Sequence, residues 1–199
     1  DKPNLGSYPA ADWQDHLFSV GTHPTGSMSD IYLDNSYGDF LITGEVVGWY
    51  RMPNDYSWYV NADGVDGTAD DYGFGSFPQN AAGVTAHAIE AADPDVNFND
   101  YRNGRATVDG LFIVHAGAGA EQTGSANDIW SHQSSVNKWT QDGVQVRTYT
   151  HEPEYRSGGF QTDVGVFAHE FGHVLGLPDL YDTDYSSNGV GRWSMMSGG

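Results

Sequence analysis

Apolar and polar positions along the 199-residue chain fall into a few periodic stretches separated by long connections rich in Gly and Asp. The strongest helical period lies in 165–179, GVFAHEFGHVLGLPD, where Phe167, Phe171, Val174 and Leu175 recur at spacings of three, four and seven to eight. That is the burial stripe of an amphipathic helix. Gly176 suits the left-handed residue just past a helix end and Pro178 forbids continuation, so the helix is predicted to stop and swing Asp179 back toward it. Residues 79–92, QNAAGVTAHAIEAA, predict a second long helix capped by Asn80 and closed by Pro94. A short helix is expected over 27–35, burying Ile31 and the Tyr32–Leu33 pair.

Extended structure is expected where β-branched and aromatic residues run together. The stretch 40–50, FLITGEVVGWY, predicts a central strand bent near Gly44, and 109–117, DGLFIVHAG, a buried strand followed by a flexible loop over 117–124. A short strand is expected to start in 128–132, DIWSH, while 144–150, VQVRTYT, alternates with period two as the edge strand bordering a cleft. Residues 1–26 show no sustained period and read as an irregular arm with His16 and His23 at its surface. Residues 157–163 lead into the 165–179 stretch, with Thr162 or Asp163 as the cap. The fold class is therefore α/β, a mixed twisted sheet carrying two long helices. No repeat or low-complexity linker divides the chain, so 1–199 is one domain, with an upper lobe over about 27–176 and the start of a small lower lobe over 177–199.

Composition narrows the function classes. There is no cysteine, which excludes disulfides and thiolate metal sites. A net charge of −19, from 27 acidic against 8 basic residues, argues against nucleic-acid partners and against an anionic membrane surface. No stretch reaches the roughly 20 apolar residues of a membrane helix, and the first residues lack a basic-then-apolar leader, so a secreted protein is expected to have lost its signal.

The chemistry concentrates on the first helix. His169 and His173 are four apart and share a helix face, so both imidazoles can address one metal ion. Glu170 sits about 100° round the barrel from His169, beside the metal without being a ligand. With Asp179, or alternatively Asp182, as third ligand, a tetrahedral zinc keeps an open position for water, the arrangement of a catalytic site. Peptides or proteins are the expected substrates, with Glu170 as general base. A catalytically inactive, calcium-stabilised binding or adhesion module on the same scaffold is the alternative. Calcium is expected in the Gly-rich loop carrying Asp63, Asp66, Asp70 and Asp71, and secondarily at Asp100, Asn103 and Asp109. His87 and His115 read as structural, and His132 and His151 as outside candidates for zinc neighbours.

HEFGHVLGLPDLYD together with RWSMMSGG resembles the immune inhibitor A family of secreted bacterial metallopeptidases, and weaker likeness runs back through DGLFIVHAGAG, DIWSH and SDIYLDNSYGDFLITGEVVGWY. The resemblance implies a metzincin-like zincin domain of an extracellular zinc endopeptidase. It implies zinc ligands at His169, His173 and Asp179, a general base at Glu170, and Met196 as the methionine beneath the metal; core filler is the other reading of the Met195–Met196 pair. Many metzincins carry a third His where this chain has Asp179, and Gly198 stands where some relatives place a tyrosine. The family's catalytic domains continue past the Met turn, so a separate C-terminal fragment of the same precursor is an expected partner.

Overall fold

The structure is a computed structural model and describes residues 6–184 and 186–197; Gly198 lies outside them. In chain order it contains α1 (Ala10–Phe18), α2 (Met28–Asn35), α3 (Tyr56–Val60), α4 (Ala81–Ala92), β1 (Phe112–Ala118), α5 (Ala120–Thr123), β2 (His132–Trp139), β3 (Gln145–Arg156), β4 (Phe160–Gln161) and α6 (Val164–Val174). The mixed sheet has the order β1-β3-β2, with β1 parallel and β2 antiparallel to β3; β4 pairs antiparallel with the end of β3.

Helices cover both faces, because β3 and β1 are apolar or buried on both. On one face Phe112 and Val114 join a core with Phe167 and Phe171 of α6, Trp13 and Leu17 of α1, and Met28 and Tyr32 of α2. On the other, Ile113 packs among Tyr59, Val60, Ala81, Val84 and Ile129, and Tyr149 packs with Ala86 and Ile89 of α4. Asn80 caps α4 by accepting from the Gly83 amide at 2.9 Å. Ser27 and Asp30 close a reciprocal capping box on α2.

Five expectations from the pattern are corrected. The amino-terminal arm contains α1, whose Trp13, His16 and Leu17 are buried; a one-turn stripe among Asp and Gln carries too little periodicity to be seen alone. Residues 40–50 join no ladder. Gln14 of α1 takes the place of a neighbouring strand, donating to the Gly44 carbonyl at 3.0 Å and accepting from the Val46 amide at 2.9 Å, while Ser29 donates to the Ile42 carbonyl at 2.7 Å. The stretch 144–150 is not an edge but the first part of the central strand, whose polar Thr150, His151, Glu152 and Glu154 are all fully buried and disguise its position. The 117–124 loop holds α5, and the strand expected over 128–132 begins only at His132. Beyond Gly176 the described residues form turns, folded back by the Leu180 amide donating to the Met196 carbonyl at 2.6 Å.

Candidate metal centre

Helix α6 ends as its sequence predicts. Gly176 takes φ +88°, its amide donates to the His173 carbonyl at 2.9 Å, and the Leu177 amide reaches the Gly172 carbonyl at 2.9 Å. This is a Schellman closure, which needs the residue with no Cβ at the left-handed position. It turns the chain so that Asp179 comes back over the helix.

Three atoms then converge. Asp179 Oδ1 lies 3.1 Å from His169 Nε2 and 3.2 Å from His173 Nε2, and the two Nε2 atoms are 3.2 Å apart. Both tautomers follow from the other ring nitrogen. His169 Nδ1 faces the Met195 carbonyl at 2.7 Å and His173 Nδ1 faces the Leu177 carbonyl at 2.9 Å; a carbonyl only accepts, so each Nδ1 carries a proton and Nε2 is the nitrogen each ring can offer to a metal. Asp179 Oδ1 is itself buried with no hydrogen-bond donor. Three lone-pair atoms packed this closely repel one another unless a cation sits between them. Their separations match the edge of a tetrahedron built on metal bonds of about 2.0–2.1 Å, which is about 3.3–3.4 Å. Among the described residues this is the one group of three or more acidic or imidazole side chains that converges in this way. The donor set, two imidazoles and one carboxylate, suits zinc with one position left for another ligand.

Glu170 points to the sheet beside this triangle and is 7% exposed. Burial pushes its carboxyl up, opposed by the imidazoles of His169 and His173 and by the Gln133 amide, with Asp179 adding to the rise. Gln133 belongs to β2, so the sheet edge next to the metal centre is β2 and not the 144–150 stretch. Beneath the histidines, Met196 is 3% exposed and its sulfur lies against the α6 backbone at Gly172. Tyr32 reinforces the same turn by donating to the Ala168 carbonyl at 2.6 Å. Tyr181 stacks on the His169 ring, with centroids 6.4 Å apart and planes 16° from parallel.

The remaining candidates lie elsewhere. His132 and His151 form a buried cluster with His115, ring centroids 5.9 and 5.2 Å from His151, outside the metal triangle. His132 is held by the Trp130 carbonyl at 2.7 Å and the Tyr149 hydroxyl at 3.2 Å, and His87 by the Tyr59 hydroxyl at 2.7 Å. Asp182 turns away from the metal centre, accepting from the Ser187 amide and hydroxyl and from Ser186. The carboxylates of the first calcium candidate are spent inside their own loop. Asp70 accepts from the Asp63 amide and Thr68, Asp71 from the Gly67 amide, and Asp66 from Asn61. In the second, Asp100 accepts from Asn97, and Asp109 from Asn103 with Arg105 3.6 Å away. In the first loop the Thr68 hydroxyl lies 2.7 Å from Asp70, 3.4 Å from Asp63 and 3.5 Å from Asp71, but no three carboxylates of that loop bring oxygens within 4.8 Å of one another. The carbonyl partners at 177 and 195, the Gln133 amide and the seat at Gly172 escaped the sequence reading; only the small residue inside His-Glu-x-Gly-His hinted at one of them.

Helices on both faces of a mixed sheet, with two helical imidazoles and a returning carboxylate meeting above it, make an α/β domain with a candidate metal site. The chain belongs to the immune inhibitor A peptidase M6 family, whose catalytic domain it matches over residues 5–199. It is 32% identical over 229 residues to the pre-pro-metalloprotease PrtV of Vibrio cholerae serotype O1, covering 96% of this chain and 24% of that protein. Against Immune inhibitor A of Bacillus thuringiensis subsp. alesti it is 33% identical over 201 residues, 84% of this chain and 28% of the relative. The chain thus spans about a quarter of the length of these curated relatives.

Proposed function

We propose that this chain is the catalytic domain of a secreted, metzincin-like zinc endopeptidase acting on extracellular proteins. The observation that carries the reading is the triangle of His169 Nε2, His173 Nε2 and Asp179 Oδ1, edges 3.1–3.2 Å, with the buried Glu170 carboxyl beside it. Zinc held by these three residues supplies Lewis acidity to a scissile carbonyl and acidifies water. The protein's own groups do the rest. The Met195 and Leu177 carbonyls hold the imidazoles in register. Glu170 accepts a proton from the attacking water and returns it to the leaving amine, fixed meanwhile by the Gln133 amide. A substrate laid along the free edge of β2 would add as a further strand and bring its backbone past that carboxylate. Met196 under α6 supports the metzincin-like part of the reading. Secretion and a further fragment of the precursor as partner are supported by the name and the greater length of PrtV.

The test is hydrolysis of casein or a quenched peptide by the zinc-loaded protein and by Glu170→Gln, with zinc measured in both. The expected result is a fall of about 10²–10⁴-fold in kcat at unchanged zinc content. Activity that survives in the variant removes Glu170 from the role, and a zinc-loaded native protein that cleaves nothing favours the binding module.

A further inference from the structure

Away from the metal centre, two histidines connect the amino-terminal helices to the start of α6. His16, on the buried face of α1, has Nε2 2.9 Å from the Thr162 carbonyl oxygen. Its Nδ1 lies 3.4 Å from His23 Nε2, and the rings meet edge to face with centroids 5.0 Å apart. On the far side, His23 Nδ1 lies 3.0 Å from the Gly26 carbonyl oxygen and 3.2 Å from Thr25 Oγ1.

The proton count of this chain is determined by its ends. Carbonyl oxygens only accept, so a hydrogen on His16 Nε2 and another on His23 Nδ1 would satisfy both ends. The nitrogen–nitrogen contact between the rings needs a third. Two neutral imidazoles hold two. We propose that His16 and His23 together hold one extra proton, and that this cationic pair is a pH-dependent latch closing the 19–27 loop onto Thr162, the residue before the N-cap of α6.

The carboxylates facing the pair favour a cation. Burial disfavours charge on His16, partly offset by the Thr162 carbonyl, and the neighbouring His23 ring adds to the opposition; His23 is the half-buried member of the pair. Asp15 of α1 and Asp163 at the head of α6 face His16, and Asp30 of α2 faces His23. Asp30 accepts from the Ser27 amide at 3.0 Å and the Gly21 amide at 2.8 Å, bonds that hold its carboxyl below the ordinary range and keep it anionic wherever imidazoles titrate. Asp163 is shared with Arg156 at 3.1 Å. Without the third proton, a bare His23 Nδ1 faces the Gly26 carbonyl oxygen, lone pair to lone pair, with the Thr25 hydroxyl beside it as donor. The closed latch reaches α6 through Thr162, whose own amide is held by the Glu154 carbonyl at 2.9 Å.

The test compares thermal midpoints of the zinc-loaded wild type, His23→Gln and Thr25→Val at about pH 5.5 and about pH 7.5, either side of the ordinary imidazole midpoint. Glutamine cannot donate to both His16 and Gly26. The wild type should exceed His23→Gln by about 2–4 °C at the lower pH, with the gap closing at the higher, and Thr25→Val should match the wild type at the lower pH. Nitrogen-15 NMR of the imidazoles should show both His23 nitrogens protonated at the lower pH. An equal gap at both pH values, or a His23 Nδ1 bare at about pH 5.5, overturns the latch and leaves a neutral pair with Thr25 as donor.

Discussion

The sulfur of Met196 occupies the space that a side chain at position 172 would need: a Cβ built on Gly172 falls 2.3 Å from Met196 Sδ and 3.1 Å from its Cε. Gly172 lies between His169 and His173 in sequence, so the methionine supports the helix at the turn that carries both imidazoles. Substituting Gly172→Ala should therefore cost about 1–3 kcal/mol, the usual range for overpacking, despite the better helix propensity of alanine. Denaturation midpoints check this. Zinc affinity should fall with it, because displacing Met196 also moves Met195, whose carbonyl orients His169; an alanine variant with unchanged stability and affinity would show that the seat is loose.

Glu152 is fully buried on the α6 side of the central strand, and neither oxygen has a hydrogen-bond partner. Burial drives its carboxyl well above the ordinary range; the Thr150 hydroxyl, near but outside hydrogen-bonding geometry, opposes the rise, and the charges of Glu170 and Glu121 add to it. A carboxyl raised in the folded state binds its proton more tightly there than in the unfolded chain. Its contribution to stability is complete below the unfolded value of about 4.3 and is lost as pH rises toward the folded one. Glu152→Gln should therefore leave the thermal midpoint unchanged near pH 4 and raise it at neutral and alkaline pH. A variant that is equally or less stable across that span would mean Glu152 is ionised and paired.

Glu154, two residues along the same strand face, has its bonds satisfied. It accepts from the Ser7 amide, from the Tyr8 amide at 3.0 Å and from the Gly117 amide at 3.2 Å, and so pins the chain ahead of α1 onto β3. Glu154→Leu removes the acceptor from all three donors. The expected loss is about 1–3 kcal/mol for a donor left buried and unpaired, together with new proteolytic cleavage around residues 6–9, read by mass spectrometry. Resistance equal to wild type would show that the strap is held by its other contacts, such as the Trp49 indole donating to the Tyr8 carbonyl at 2.8 Å.

Local chemistry was legible in the sequence wherever one element sufficed to express it. Four-residue spacing puts two imidazoles on one helix face, a glycine followed by a proline ends that helix and returns an aspartate, and Asn80 or Ser27 starts a helix from its own neighbourhood. Strand pairing was not legible, because a ladder partner is chosen by distant residues. Gln14 takes the backbone groups that would have made 40–50 a strand, and buried Glu152 and Glu154 disguise the middle of the sheet as its edge. What the sequence by itself determined is the donor set and the turn that brings it together. Only the tertiary structure decided which nitrogen of each histidine points inward, what lies beneath them, and where His16 meets His23, since each depends on a carbonyl or a sulfur delivered from far along the chain.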